Sequence, residues 1–146
     1  MAMGTVQGVN ILTTTPEKAK YNETGVITEI WVWTVTTALA QTDTLTGPVI
    51  PAGTYLLDVT VGSNVDLDSG GTTGAYEVGY TGTLGAFIAS GTTAGFSDGA
   101  IGRMNVCSGL GYTSTTDTTV LMTITTTAAT PVAGTVRMAV SYTANP

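Results

Sequence analysis

The 146-residue chain contains no histidine, one cysteine (Cys107) and four basic residues. Without histidine there is no Ser-His-Asp or Cys-His pair and no imidazole general base. A single thiol builds neither a zinc site nor an internal disulfide. Charge is scarce as well, at 10% of positions, and the formal balance of −6 opposes contact with a nucleic-acid backbone or an anionic membrane surface. Glu, Lys, Arg and Gln together occur only ten times, so the best helix formers are nearly missing and a mainly helical fold is excluded. No apolar run approaches a membrane span, and the opening MAMGTVQG has neither the basic flank nor the apolar stretch of a signal peptide. These features predict a soluble protein made in a cytosol.

What remains is suited to strands. Thr occurs 32 times and Gly 19 times, and Leu, Ile, Val and Phe total 33 residues, above the level of about one fifth below which chains stay disordered. The branched Cβ of threonine fits a pleated strand, and its hydroxyl suits the wet face. The threonines follow no single repeating period, which argues against a ranked ice-binding surface.

Alternation of apolar and small polar residues is the dominant local signal. Over 134–143 one face carries Val136, Met138, Val140 and Tyr142 and the other Thr135, Arg137, Ala139, Ser141 and Thr143. Over 118–127, Val120, Met122 and Ile124 point inward, and the Thr130–Gly134 stretch is expected to join these two strands as a hairpin. Over 53–62, Tyr55, Leu57, Val59 and Val61 are expected on one face, after a turn at Pro51–Gly53. Weaker strands are read at 5–13, 26–36, 42–50, 75–80 and 84–90. About eight short strands without crossover helices predict an all-β, antiparallel β-sandwich of jelly-roll type. It occupies residues 26–146, and residues 1–25 form an N-terminal arm or linker with a first strand.

Few segments offer chemistry. Asp66 and Asp68 in SNVDLDSGGTTG are the one close acidic pair, and a glycine-rich loop of this kind can hold Ca2+. The loop lacks the further ligands and closing Glu of an EF-hand, so a polar inter-strand loop is the simpler reading. Glu29, Asp58 and Glu77 lie on separate strands and give no support to a two-carboxylate glycosidase. Neither a catalytic residue, a cofactor nor a metal ligand is assigned.

Three segments point instead to contacts. Strand 26–36, VITEIWVWTVT, is apolar on both faces, with Val26, Ile30 and Val32 on one and Ile27, Trp31, Trp33 and Val35 on the other. It is a central strand covered by another segment, or Trp31 or Trp33 meets a second subunit, or the tryptophans form a shelf for sugar. The arm carries Lys18 and Lys20, half of the basic residues, and reads as an exposed or docking segment. The stretch 91–113 holds six glycines and Cys107, with Arg103 the one nearby positive charge; a connection this long is usually functional. Trp31, Trp33, Lys18, Lys20 and Arg103 are therefore the candidate interaction residues.

Three segments together, all within residues 42 to 143, carry a family resemblance: GPVIPAGTYLLDVTVGSNVDLDSGG, GAYEVGYTGTLGAFIASGTTAG and GYTSTTDTTVLMTITTTAATPVAGTVRMAVSYT. In them the chain resembles the capsid decoration, or cement, proteins and related small head proteins of tailed bacteriophages. The resemblance implies a virion structural protein on the exterior of an icosahedral shell, often a homotrimer, clamping neighbouring major capsid subunits and made in the host cytoplasm. Thr/Gly-rich strands of this kind also occur in phage tail and fibre proteins, the nearest alternative. From a different class, a carbohydrate-binding module is suggested by Trp31, Trp33, Tyr76 and Tyr80 on strands and by Asp66 and Asp68 as a candidate Ca2+ loop.

Overall fold

A computed structural model describes residues 17–18, 25–35, 39–68, 74–90, 101–103 and 111–143. Where the sequence alternates, the backbone is extended, because period-two alternation lets each strand bury one face and wet the other. The strands are β1 (Glu17–Lys18), β2 (Val26–Val35), β3 (Thr44–Ile50), β4 (Leu56–Ser63), β5 (Ala75–Tyr80), β6 (Thr83–Ile88), β7 (Ile101–Arg103), β8 (Thr118–Thr126) and β9 (Gly134–Thr143). The expected strand at 5–13 lies outside the described residues, as does most of the 91–113 stretch, whose described part includes β7.

Two antiparallel sheets result, one in the order β1-β2-β9-β4-β7 and the other in the order β3-β8-β5-β6. Only β5 and β6 are consecutive partners of the long strands within a sheet; β2 to β5 and β6 to β9 cross from one sheet to the other at every connection. With β1 set aside, this is the strand order of a jelly roll, two interleaved four-stranded halves wrapped into a sandwich. The expected all-β jelly-roll sandwich is the observed fold.

The core lies between the sheets. Val136, Met138, Val140 and Tyr142 enter it from β9, and Val120, Met122 and Ile124 from β8, all of them almost fully buried. The expected hairpin between these strands does not form: β8 pairs with β3 and β5, and β9 with β2 and β4. The 127–133 connection instead carries the chain across the sandwich, so that the apolar faces of β8 and β9 enter one core from opposite sheets. Alternation determines which side chains turn inward but says nothing about which sheet a strand joins.

A second correction concerns β4. Leu56 pairs with Tyr142 and Asp58 with Ser141, so Leu57 is an extra residue opposite no partner, a β-bulge. The bulge resets the face: Leu56 is fully buried and Tyr55 is 49% exposed, the reverse of the expectation, while Val59 and Val61 point inward as expected.

Candidate functional site

Strand β2 runs beside β9 through ten consecutive residue pairs without a shift, and β1 adds to its other edge only opposite Glu29 and Ile30. Its odd-numbered face is the inner one. Trp33 is 3% exposed and Val35 is buried, while Ile27 and the half-buried Trp31 pack against the core. The Trp31 and Trp33 rings lie 6.3 Å apart, tilted at 34°. Within the chain, then, Trp33 is a core residue and Trp31 has the exposed part of the pair.

A carboxylate shares this inner face. Glu29 is buried, and its Oε1 accepts a 2.6 Å hydrogen bond from the Tyr142 hydroxyl while Oε2 accepts a longer one, 3.4 Å, from Trp31 Nε1. A buried charge is tolerated only when hydrogen-bonded, and these donors supply that. Burial, reinforced by the hydrogen bond to Glu29 and its negative charge, pushes the Tyr142 phenol well above its ordinary value.

The even-numbered face of β2 forms, with β9 and β4, the outer surface of the five-stranded sheet. Register sets Ile30 beside Ala139 beside Thr60, and Val32 beside Arg137 beside Gly62. Thr28 and Ser141 share a 2.8 Å hydroxyl contact, and Thr60 donates to Asp58 at 3.3 Å. Ile30 is 46% exposed in this row of small side chains. The surface is therefore hydroxyl-rich and sparsely charged.

The remaining candidates are dispersed. Lys18 and Arg103 belong to β1 and β7, the two opposite edges of the five-stranded sheet, paired with Glu29 and Thr60 respectively; Lys20 and Cys107 lie outside the described residues. Glu29, Asp58 and Glu77 occupy the inner face of one sheet, its outer face and the other sheet, so no two-carboxylate arrangement assembles.

Asp68 is buried and fixed. Its Oδ1 accepts from the Thr130 amide at 2.8 Å and the Thr130 hydroxyl at 3.1 Å, and Oδ2 accepts from the Gly74 amide at 3.1 Å. The Thr130 amide bond leads in lowering its pKa from 3.8 to about 2, with Gly74 and the Thr130 hydroxyl adding to it against the opposing effect of burial. Asp66 in turn accepts the Asp68 amide at 2.9 Å. The pair thus pins loops: Asp68 bridges to Pro131, and Val132 donates to the Leu67 carbonyl. Among the described residues no three acidic, cysteine or histidine side chains converge as a metal site would require.

Sequence reading missed a cleft at the rim of the four-stranded sheet. Tyr80, at the end of β5, lies 5.0 Å from Tyr112 between ring centres, and both rings rest on the fully buried Phe87, at 5.8 and 5.3 Å. Beside them Ser114, Thr116 and Asp117 complete a groove of about 340 Å3. Tyr80 had been legible as a strand aromatic, whereas Tyr112 and Asp117 come from a glycine- and threonine-rich approach to β8 with no periodic signal.

The described residues thus form a jelly-roll sandwich with a hydroxyl-rich outer face on one sheet and a rim groove on the other. No family model matches the sequence, and no curated protein matches it. Solved structures do. The chain is similar to a chain of the capsid asymmetric unit of cyanophage Pam1, with 26% identity and a TM-score of 0.72 over 94% of this chain and 99% of that one. It is also similar to a chain of the capsid of Ralstonia phage GP4, with 20% identity and a TM-score of 0.70 over 97% of this chain and 95% of that one. A third likeness is to the acid-stable capsid of Helicobacter pylori bacteriophage KHP30, at 12% identity and a TM-score of 0.60 over 90% and 95%. The latter two establish the fold alone; the first adds likeness of sequence. The chain is a phage capsid-related protein, as the three resembling segments imply.

Proposed function

We propose that the protein is a capsid decoration, or cement, protein: a structural, non-enzymatic component that binds the exterior of a phage head and stabilises contacts between major capsid subunits. The observation that carries this reading is the end-to-end match to a chain of the Pam1 capsid asymmetric unit. Both chains are covered almost completely, so the matched capsid chain is a single domain of the same size. The physics of such a role needs no covalent chemistry. Each copy adds contact area across a junction, and anything that binds the assembled shell but not its separated subunits stabilises the shell by mass action.

The hydroxyl-rich outer face of β2, β9 and β4 supports the same reading. A surface with few charges and few long side chains loses little on desolvation and little side-chain entropy when covered. We assign the shell contact to this face, around Ile30, and a homotrimeric state to the bound protein, made in the host cytoplasm before it joins the head. Trp31, Lys18, Lys20 and Arg103 remain proposed contributors to these contacts.

Mixing the purified protein with expanded, undecorated capsids tests the proposal. Co-sedimentation at saturable stoichiometry, with a rise in the temperature of capsid disruption, is expected. Absence of both would overturn it, and immunogold labelling of tails rather than heads would replace it with a tail or fibre role.

A further inference from the structure

We propose that the rim groove of the four-stranded sheet is a carbohydrate-binding site for a short run of neutral pyranose sugars. The inference is independent of the shell-binding role, since the groove belongs to the other sheet from the face assigned to that contact.

A pyranose ring has a face of C–H bonds and a rim of hydroxyls, so it is recognised by an aromatic platform with acceptors and donors beside it. The groove has both. Tyr80 and Tyr112 are each partly exposed, tilted at 34° to one another, and Phe87 behind them keeps the rings in place. Asp117 is exposed; its Oδ1 accepts the Ala52 amide at 3.0 Å, and its other oxygen has no partner among the described residues. Besides the Thr116 amide bond to Ser114 Oγ at 3.2 Å, the Ser114 and Thr116 hydroxyls share only a 3.4 Å contact, as do those of Tyr112 and Thr118. Bonds this long are weak and are readily exchanged for those of a ligand hydroxyl.

The walls are also held in place before any ligand arrives. The Gly53 amide donates to the Ser114 carbonyl, Leu56 to Tyr112, and Gly111 to Leu56, each at 2.9 Å. The aromatic and hydroxyl groups therefore sit on a segment tied to the β3–β4 connection, which lowers the ordering cost of binding.

The lining selects the ligand class. A groove of about 340 Å3 falls at the small end of ligand pockets, roughly 300–1,000 Å3, and holds one or two sugar rings. Its hydroxyl-rich wall disfavours apolar ligands. The Asp117 carboxylate and the net charge of −6 disfavour phosphates and acidic sugars.

Saturation-transfer NMR and calorimetry on the intact protein test the site. The probes are neutral tetrasaccharides of glucose, mannose, galactose and N-acetylglucosamine, with tetragalacturonate as the acidic control. Millimolar or tighter binding of at least one neutral probe is expected, weakened at least about tenfold by Asp117→Asn and by Thr116→Val, two exposed positions whose change leaves the core intact. Tyr112→Leu should abolish transfer, and Ile30→Asp on the opposite sheet should leave it unchanged. No transfer to any neutral probe, binding that survives both Asp117→Asn and Thr116→Val, or equal binding of tetragalacturonate would overturn the proposal.

Discussion

The two sheets of this sandwich are built to different degrees of regularity. In the five-stranded sheet β2 and β9 stay in register over ten pairs, and the one shift in its long pairings is the Leu57 bulge. In the four-stranded sheet every pairing is interrupted: β3 with β8, β5 with β6, and β5 with β8. Unbroken register keeps the outward side chains of β2 and β9 in aligned rows, a surface suited to lying against a neighbour. Two of these shifts, Thr46/Val49 and Val78/Tyr80, lie toward the end of β5 where the Tyr80–Tyr112 groove is found. Leu56, beside the bulge, bonds to the segment that walls this groove, whereas the β5–β8 shift, between Ala75 and Tyr76, lies at the other end of β5.

If this contrast is right, changes in the two sheets separate by readout. The largest effects fall in the shared core. Phe87→Ala and Trp33→Ala should each lower stability by about 3–5 kcal/mol in urea unfolding, as large aromatic truncations do; Phe87→Ala should also abolish the groove, whereas Trp33→Ala should spare it. Trp31→Ala, at a half-buried position, should cost measurably less than Trp33→Ala. Next comes Tyr142→Phe, which removes the short bond to Glu29 and leaves a buried carboxylate short of a donor, at about 1–3 kcal/mol in the same assay. With the phenol raised in the folded chain, the wild type should hold its stability below the ordinary value of 10.0 and lose it as pH rises beyond, a slope that Tyr142→Phe removes.

Smaller and confined to acid is the Asp68 contribution. Because its folded pKa is depressed, the stability it adds is present above 3.8 and is lost as pH falls toward about 2. Acid titration of unfolding should show this step in the wild type and not in Asp68→Asn. Ile30→Asp should have the least effect on stability, within about 0.5 kcal/mol for an exposed position, yet should abolish capsid co-sedimentation. If it left capsid binding intact, the outer face of β2, β9 and β4 would not be the contact surface.

How much of this was legible differs by level. The inward residues of β8 and β9 follow from alternation alone, because period two is a local property of the chain. Their assignment to separate sheets does not, since it depends on pairing with β2, β3, β4 and β5 far away in sequence. The reversal at Tyr55 and Leu56 arises from one bulged residue, which no pattern marks and which moves every preceding side chain to the other face. Strand 26–36 looked apolar on both faces because Trp31 and Trp33 share the inner face with Glu29, a charge that the Tyr142 hydroxyl makes tolerable. The groove was half visible: Tyr80 stood on a strand, but Tyr112 and Asp117 are brought to it by backbone bonds to Gly53 and Leu56 and by the Ala52 amide.

An icosahedral reconstruction of a particle carrying this protein tests the central claim most directly. Jelly-roll density is expected on the outer surface of the head, over junctions between shell subunits, with the β2-β9-β4 face toward the shell. Density confined to the tail or the shell interior, or an unoccupied outer surface, would contradict it.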